Sequence, residues 1–345
     1  MQLDILNEKE AAAIRELIAA SSHIVLLGHK SPDGDALGAC LGCTDYLQSM
    51  GKSSTIIIPD AFPDFLRWLP GAEHIVRYDK QRELVKKLIE EADLIFCLDF
   101  NSAMRLDEMS QLLLEAKATK VMIDHHLQPD LVCAVSVSHP EATSTSELVF
   151  RIIWQLKAFD QMTLNGATAI YCGMMTDTGG FTFNSSRPEI FFIICQLLTK
   201  GIDKDKIYRN VFNNYSSWAI RLRGYMMYQK LNVLDDFHAS YYALTRQEMK
   251  RFHFIKGDAE GLVNEPLRIK GLKLSIALRE DDRRDHLVWV SLRSVDAFPC
   301  NQMAAEYFNG GGHLNASGGR LECTLDEAVQ ITRQAIAAYG NLLKS

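Results

Sequence analysis

Short apolar runs alternate with amphipathic stretches through the first half of the chain. Runs of this length, bounded by Gly, Pro and polar clusters, predict strands at 23–28, 54–59, 94–99, 120–124 and 131–136. Apolar residues at helical spacing predict helices at 8–20, 36–50, 81–92, 103–117, 144–158 and 163–175. Strands alternating with helices imply βαβ units and a parallel sheet. Residues 188–230 are helical in pattern, studded with Lys, Arg and Tyr, and are expected to connect two domains. Beyond them, strands are expected at 231–236, 240–244, 272–279 and 287–293, then a helix near 299–308, a glycine cluster at 310–312 and a closing helix at 325–343. The expected fold class is α/β. A parallel-sheet N-terminal catalytic domain (1–187) is joined by a helical linker (188–230) to a smaller α/β C-terminal domain (231–345), with the active site in the cleft between. At 345 residues the chain exceeds the usual size of a single core, in keeping with two domains.

Composition narrows the classes. No apolar stretch approaches membrane-spanning length, and the start lacks a basic region followed by an apolar one, so a cytoplasmic address without membrane partners is expected. Eight cysteines in so long a chain do not form a disulfide scaffold, and Cys40-x-x-Cys43 lacks the second pair or nearby His of a zinc site, leaving helix packing. A net charge of −6 argues against coating long nucleic acid, whose affinity rests on many phosphate contacts, but is compatible with a short phosphorylated substrate.

The candidate chemistry sits where elements end. The run at 24–28 stops and delivers His29, Asp33 and Asp35, polar groups that are costly to desolvate together unless a cation compensates them. The competing reading of that stretch is a turn, with Asp35 capping the next helix. Asp99 ends the run 94–98, and the triplet Asp124-His125-His126 ends the next. Asp177 closes a helical segment ahead of Gly179-Gly180. Four carboxylates, Asp33, Asp35, Asp99 and Asp177, formally balance two divalent cations, and His29 and His125 complete a mixed O/N donor set that suits Mn²⁺. Two such ions ~3.5–4 Å apart can hold a bridging hydroxide and stabilise in-line displacement at phosphorus. Arg105, six residues after Asp99, is a candidate phosphate contact, with a surface ion pair as the alternative. In the second domain, Gly310, Gly311 and Gly312 allow backbone N–H groups close to an anion, and His313 adds a donor.

His29-x-x-Pro-Asp33-Gly-Asp35, Asp99, Asp124-His125-His126 and Asp177 resemble, in order and spacing, the four motifs of the DHH phosphoesterases. Gly310-Gly-Gly-His313-Leu-Asn-Ala316-Ser317-Gly318 is similar to the GGGHxxAxG loop of the C-terminal domain associated with that family, with Ser317 where many members carry Ala. The resemblance implies that His29, Asp33 and Asp99 hold one metal, and that Asp35, Asp99, His125 and Asp177 hold the other. It further implies that His126 faces the scissile phosphate, that Asp124 orients the histidines, and that Arg293 grips a terminal phosphate. Within the family, length and architecture resemble the oligoribonuclease/pAp phosphatases. The expected activity is therefore Mn²⁺-dependent hydrolysis of short oligoribonucleotides to mononucleotides and dephosphorylation of adenosine 3′,5′-bisphosphate. A phosphodiesterase acting on linear or cyclic dinucleotides (pApA, cyclic di-AMP) is the neighbouring expectation, and a non-catalytic nucleotide-binding regulator the remote one. Expected partners are short RNA oligonucleotides and small nucleotides, and relatives suggest a homodimer.

Overall fold

Leu26 and Leu27 are adjacent on one strand, and their side chains enter two different hydrophobic cores, one on each face of the sheet. That two-sided burial explains why the strands read as unbroken apolar runs. The computed structural model describes residues 3–255 and 257–344; the outer ends of the expected domains, 1–2 and 345, lie outside the described residues. The first sheet has six parallel strands: β1 (Ile24–Leu27), β2 (Ser54–Ile58), β3 (Val76–Arg77), β4 (Leu94–Leu98), β5 (Thr119–Asp124) and β6 (Val135–Ser138). Their spatial order is β3-β2-β1-β4-β5-β6. The helices are α1 (Glu8–Ala20), α2 (Gly34–Ser49), α3 (Arg82–Glu91), α4 (Ser110–Glu115), α5 (Thr145–Gln155) and α6 (Leu164–Asp177). Among the described residues no helix is long and apolar enough to cross a membrane.

Close contact between α2 and α6 is what brings their ends together. Gly34, Gly38 and Gly42 recur every four residues, so they line one face of α2. A Cβ at Gly38 would stand 2.6 Å from the Ala169 carbonyl oxygen, and one at Gly34 would meet Thr176. Cys40 and Cys43 lie on the same helix, buried in the core as expected.

Around this first sheet, the segments 131–136 and 103–117 depart from expectation. The strand expected at 131–136 runs instead over Val135–Ser138: Leu131 is held by its N–H to the Asn101 carbonyl at 3.0 Å, packs as an apolar side chain, and joins no ladder. The helix expected at 103–117 is a 3₁₀ stretch (Ala103–Met109) followed by α4, because Asp107, at φ 51°, interrupts the α-helical path.

The chain divides into two compact units, residues 1–214 and 215–345. The helical segment 188–230 is shared between them. Helices α7 (Pro188–Thr199) and α8 (Lys204–Phe212) add Ile190, Ile193, Ile207 and Val211 to the first unit's core. Helix α9 (Ser217–Tyr225) and the π-helical turn Met226–Lys230 place Leu222 and Met226 against Tyr242 and Leu244 of the second.

The second unit is built on β7 (Asn232–Leu234), β8 (Ala239–Leu244), β9 (Leu274–Glu280), β10 (Val288–Ser294), β11 (Gly311–His313) and β12 (Ala316–Leu321), in the order β11-β12-β10-β9-β8-β7. Only β8 and β9 pair in parallel. Helices α10 (Arg246–Arg251), α11 (Cys300–Tyr307), α12 (Leu325–Ala338) and α13 (Gly340–Lys344) complete it; the closing helix expected as one piece is interrupted at Tyr339. The glycine cluster is a strand rather than a free loop. Gly311 pairs with Gly318 and His313 with Ala316, and Ser317 Oγ donates to the His313 carbonyl at 2.8 Å, tying the hairpin.

Candidate functional site

The metal-ligand candidates of the first unit converge at the carboxyl ends of β1, β4 and β5 and at the ends of α2 and α6. Among the described residues of this unit alone, three groups have ligand atoms within 4.8 Å of one another: His29–Asp33–Asp99, Asp35–His125–Asp177 and Asp99–Asp124–His126. Asp99 is the hub. It is 2% exposed, and its φ of 64° lies in the left-handed region that asparagine and aspartate tolerate better than most residues. Its Oδ2 is 3.2 Å from His29 Nε2, and its Oδ1 is 3.6 Å from His125 Nε2. His125 Nε2 is also 3.8 Å from Asp35 and 3.4 Å from Asp177.

Neighbouring carbonyls orient the imidazoles. His29 Nδ1 donates to the Lys30 carbonyl at 2.8 Å and His125 Nδ1 to that of Ala142 at 3.3 Å, which turns each Nε2 towards the carboxylates. Asp124, fully buried, accepts from His126 Nδ1 at 2.8 Å and from the His126 N–H at 2.8 Å. Asp124 therefore positions His126, and the Ala142 carbonyl helps to orient His125. The capping alternative also resolves. The helix begins two residues earlier than expected, at Gly34, so Asp33, not Asp35, is its N-cap, with Oδ1 accepting from the N–H groups of Asp35 and Ala36. Asp33 keeps a side chain 56% exposed and lies 4.0 Å from His29 Nε2.

Sequence reasoning missed the segment that receives Asp35. The N–H groups of Thr145 and Ser146, at the start of α5, donate to Asp35 at 2.6 and 2.8 Å, and Thr145 Oγ1 donates to Asp99 at 3.0 Å. A helix N-terminus stabilises carboxylates in this way. The available signal was Ser144-x-x-Glu147, a capping pattern within the polar run Thr143–Glu147.

The electrostatics call for a cation. Burial, followed by repulsion from Asp99, Asp177 and Asp33, pushes the Asp35 carboxyl well above its usual range. Burial opposes charge on His29, yet its hydrogen bond to Asp99 and the nearby carboxylates outweigh that and raise it to about 9. His125 is raised in the same sense by Asp177, Asp99 and Asp124 against its burial. These shifts mark a buried cluster with more negative charge than its imidazoles can offset. A hard or borderline divalent cation meets the same O/N donors, so the residues fit such ions. Arg105, in the 3₁₀ stretch beside this centre, lies close enough to His29 to oppose its protonation, and no ion pair among the described residues includes it.

In the second unit the register assembles the other candidates. Residues directly opposite across a ladder share a face. Arg293 faces Ala316, and Ala316 faces His313, so Arg293 and His313 flank a small residue on one face of the sheet. The next row along the same face is Ser291, Gly318 and Gly311. The three cluster glycines differ in cause. A Cβ at Gly310 would strike the Gly318 carbonyl and one at Gly312 would stand 2.6 Å from the Ala316 carbonyl, whereas at Gly311 it would meet nothing within 4 Å. The hairpin requires Gly310 and Gly312; Gly311 leaves an open approach to the backbone.

Residues 23–174 match the domain model described as DHH family, N-terminal domain. An exopolyphosphatase-related protein from Bacteroides fragilis, known from its crystal structure, is 49% identical, with a TM-score of 0.95 over 99% of each chain. The bifunctional oligoribonuclease and PAP phosphatase NrnA of Thermus thermophilus is 27% identical over 95% of this chain and 94% of its own. The cyclic-di-AMP phosphodiesterase GdpP of Geobacillus thermodenitrificans is 28% identical over 95% of this chain. The chain spans about half of that relative's length, 49%.

Proposed function

The chain belongs to the DHH family, and on that footing we propose that it is a Mn²⁺-dependent phosphoesterase that hydrolyses short oligoribonucleotides to mononucleotides and dephosphorylates adenosine 3′,5′-bisphosphate. The observation that carries this reading is the shared position of Asp99, within reach of His29 on one side and His125 on the other. His29, Asp33 and Asp99 would hold one ion, and Asp35, Asp99, His125 and Asp177 the second. When bound, such ions supply an activated water and neutralise charge developing at phosphorus. His126, fixed through Nδ1 by Asp124, serves as hydrogen-bond donor to a phosphate oxygen. Arg105 adds positive charge beside His29. Arg293 and His313 bind a phosphate of the substrate, with the backbone at Gly311 open to close approach.

The relationship to cyclic-di-AMP phosphodiesterases supports a second reading, cleavage of linear or cyclic dinucleotides by the same residues. Purified protein with Mn²⁺ separates the two when offered adenosine 3′,5′-bisphosphate, pApA, cyclic di-AMP, polyphosphate and end-labelled RNA of increasing length. Fastest release from the bisphosphate and the shortest RNAs is the expected result. Fastest release from cyclic di-AMP would favour the second reading, and release from polyphosphate alone would overturn both.

A further inference from the structure

The face that carries Arg293 continues along β10 beyond the row of Ser291. Side chains at i, i+2 and i+4 share one strand face, so Arg293, Ser291 and Trp289 follow one another along β10. Trp289 lies ~13 Å from Arg293 along the strand, at about 3.3 Å per residue. In the ladder it faces Arg320 of β12 on one side and Arg279 of β9 on the other. Trp289 is half-buried and belongs to neither core of this unit. Its Nε1 donates to Asp281 at 2.8 Å, and the Arg284 guanidinium lies 5.9 Å from its ring centroid. Arg279 is turned onto the Phe254 ring at 5.6 Å. Arg320 is exposed, and the ion pairs of this unit among the described residues leave it out.

A positioned aromatic ring beside uncommitted arginine charge is the arrangement by which single-stranded nucleic acid is held without base-specific contacts: bases stack and phosphates pair. Resting on the oligoribonuclease reading above, we propose that Trp289 and Arg320 form a distal subsite of that same binding face, stacking a base and contacting a phosphate of nucleotides beyond the one held at Arg293 and His313. The row between, Ser291, Gly318 and Gly311, carries no side chain larger than a hydroxymethyl, and Ser291 is exposed. This subsite strengthens binding of oligonucleotides without affecting a mononucleotide.

The test compares Trp289→Ala, Trp289→Phe and Arg320→Ala with the wild type on adenosine 3′,5′-bisphosphate and on a five-residue oligoadenylate, both with Mn²⁺. Trp289→Ala and Arg320→Ala are expected to raise KM for the pentamer roughly tenfold, the scale of one lost base stack or phosphate contact, with kcat and both constants for the bisphosphate unchanged. Trp289→Phe, which keeps a stacking ring, restores most of the loss. Arg320 is exposed, so its variant reports even where loss of the Trp289–Asp281 bond disturbs the fold. An unchanged pentamer KM in Arg320→Ala, or equal losses on both substrates, would overturn the subsite while leaving the functional reading standing. A wild type that turns over neither substrate would remove the functional reading itself, and the subsite with it.

Discussion

Asp99 is held by three kinds of constraint: a left-handed backbone that turns it inward, a hydroxyl from Thr145, and imidazoles on two sides. Burial would raise its carboxyl, but His29, His126 and His125 more than offset this and hold it low. Asp124 acts on a different atom. Because it accepts from both Nδ1 and the backbone N–H of His126, Asp124→Asn is expected to reduce kcat by about 10–100-fold, while bound metal measured by mass spectrometry stays at the wild-type level. His29, Asp99, Asp124 and Asp177 stood out as candidates because each ends an apolar run or helix, while Asp33 and Asp35 follow His29 in the loop and first turn of α2. The donors to Asp35 were not, because Thr145 and Ser146 act there through backbone N–H groups that every residue but proline possesses.

At the scale of elements, the convergence of Asp35 and Asp177 depends on how closely α2 can lie against α6. Gly38→Ala places a methyl 2.6 Å from the Ala169 carbonyl oxygen, so the helices must separate. The expected cost is about 1–3 kcal/mol in urea unfolding, accompanied by weaker Mn²⁺ binding because the two carboxylates move apart. Asp281 gives a pH-dependent counterpart. Burial opposes its charge, but the Arg284 N–H, the Trp289 indole and the Arg283 N–H hold its pKa at about 2, below the ordinary 3.8. A carboxyl depressed on folding stabilises above its unfolded pKa and loses that contribution as pH falls through the folded one. The stability advantage of wild type over Asp281→Asn should therefore be full at neutral pH and shrink between about pH 4 and pH 2; a pH-independent difference in unfolding midpoint would contradict this. Strands buried on both faces, such as Leu94–Leu98, were legible as unbroken apolar runs. β11 and β12 were not, since Gly311, Gly312, Gly318 and Gly319 carry no side-chain period to read.

For the molecule as a whole, the two units contribute different chemistry: carboxylates and imidazoles from residues 1–214, and Arg293, His313 and an open glycine strand from residues 215–345. The α/β class and the order of elements were legible because apolar periodicity alternates so regularly. The division of 188–230 was not, since both halves are helical and only their buried faces tell which core they join. If Arg293 binds substrate phosphate, Arg293→Ala should raise KM for adenosine 3′,5′-bisphosphate about tenfold or more, with metal content unchanged. The central claim is that paired metals held around Asp99 drive phosphoester hydrolysis. Its most direct test is to titrate metal-depleted protein with Mn²⁺ and follow phosphate release from adenosine 3′,5′-bisphosphate. Activity should appear only as the second equivalent binds, and Asp99→Ala should give none. Full activity in chelator, at one equivalent, or in Asp99→Ala would contradict the account.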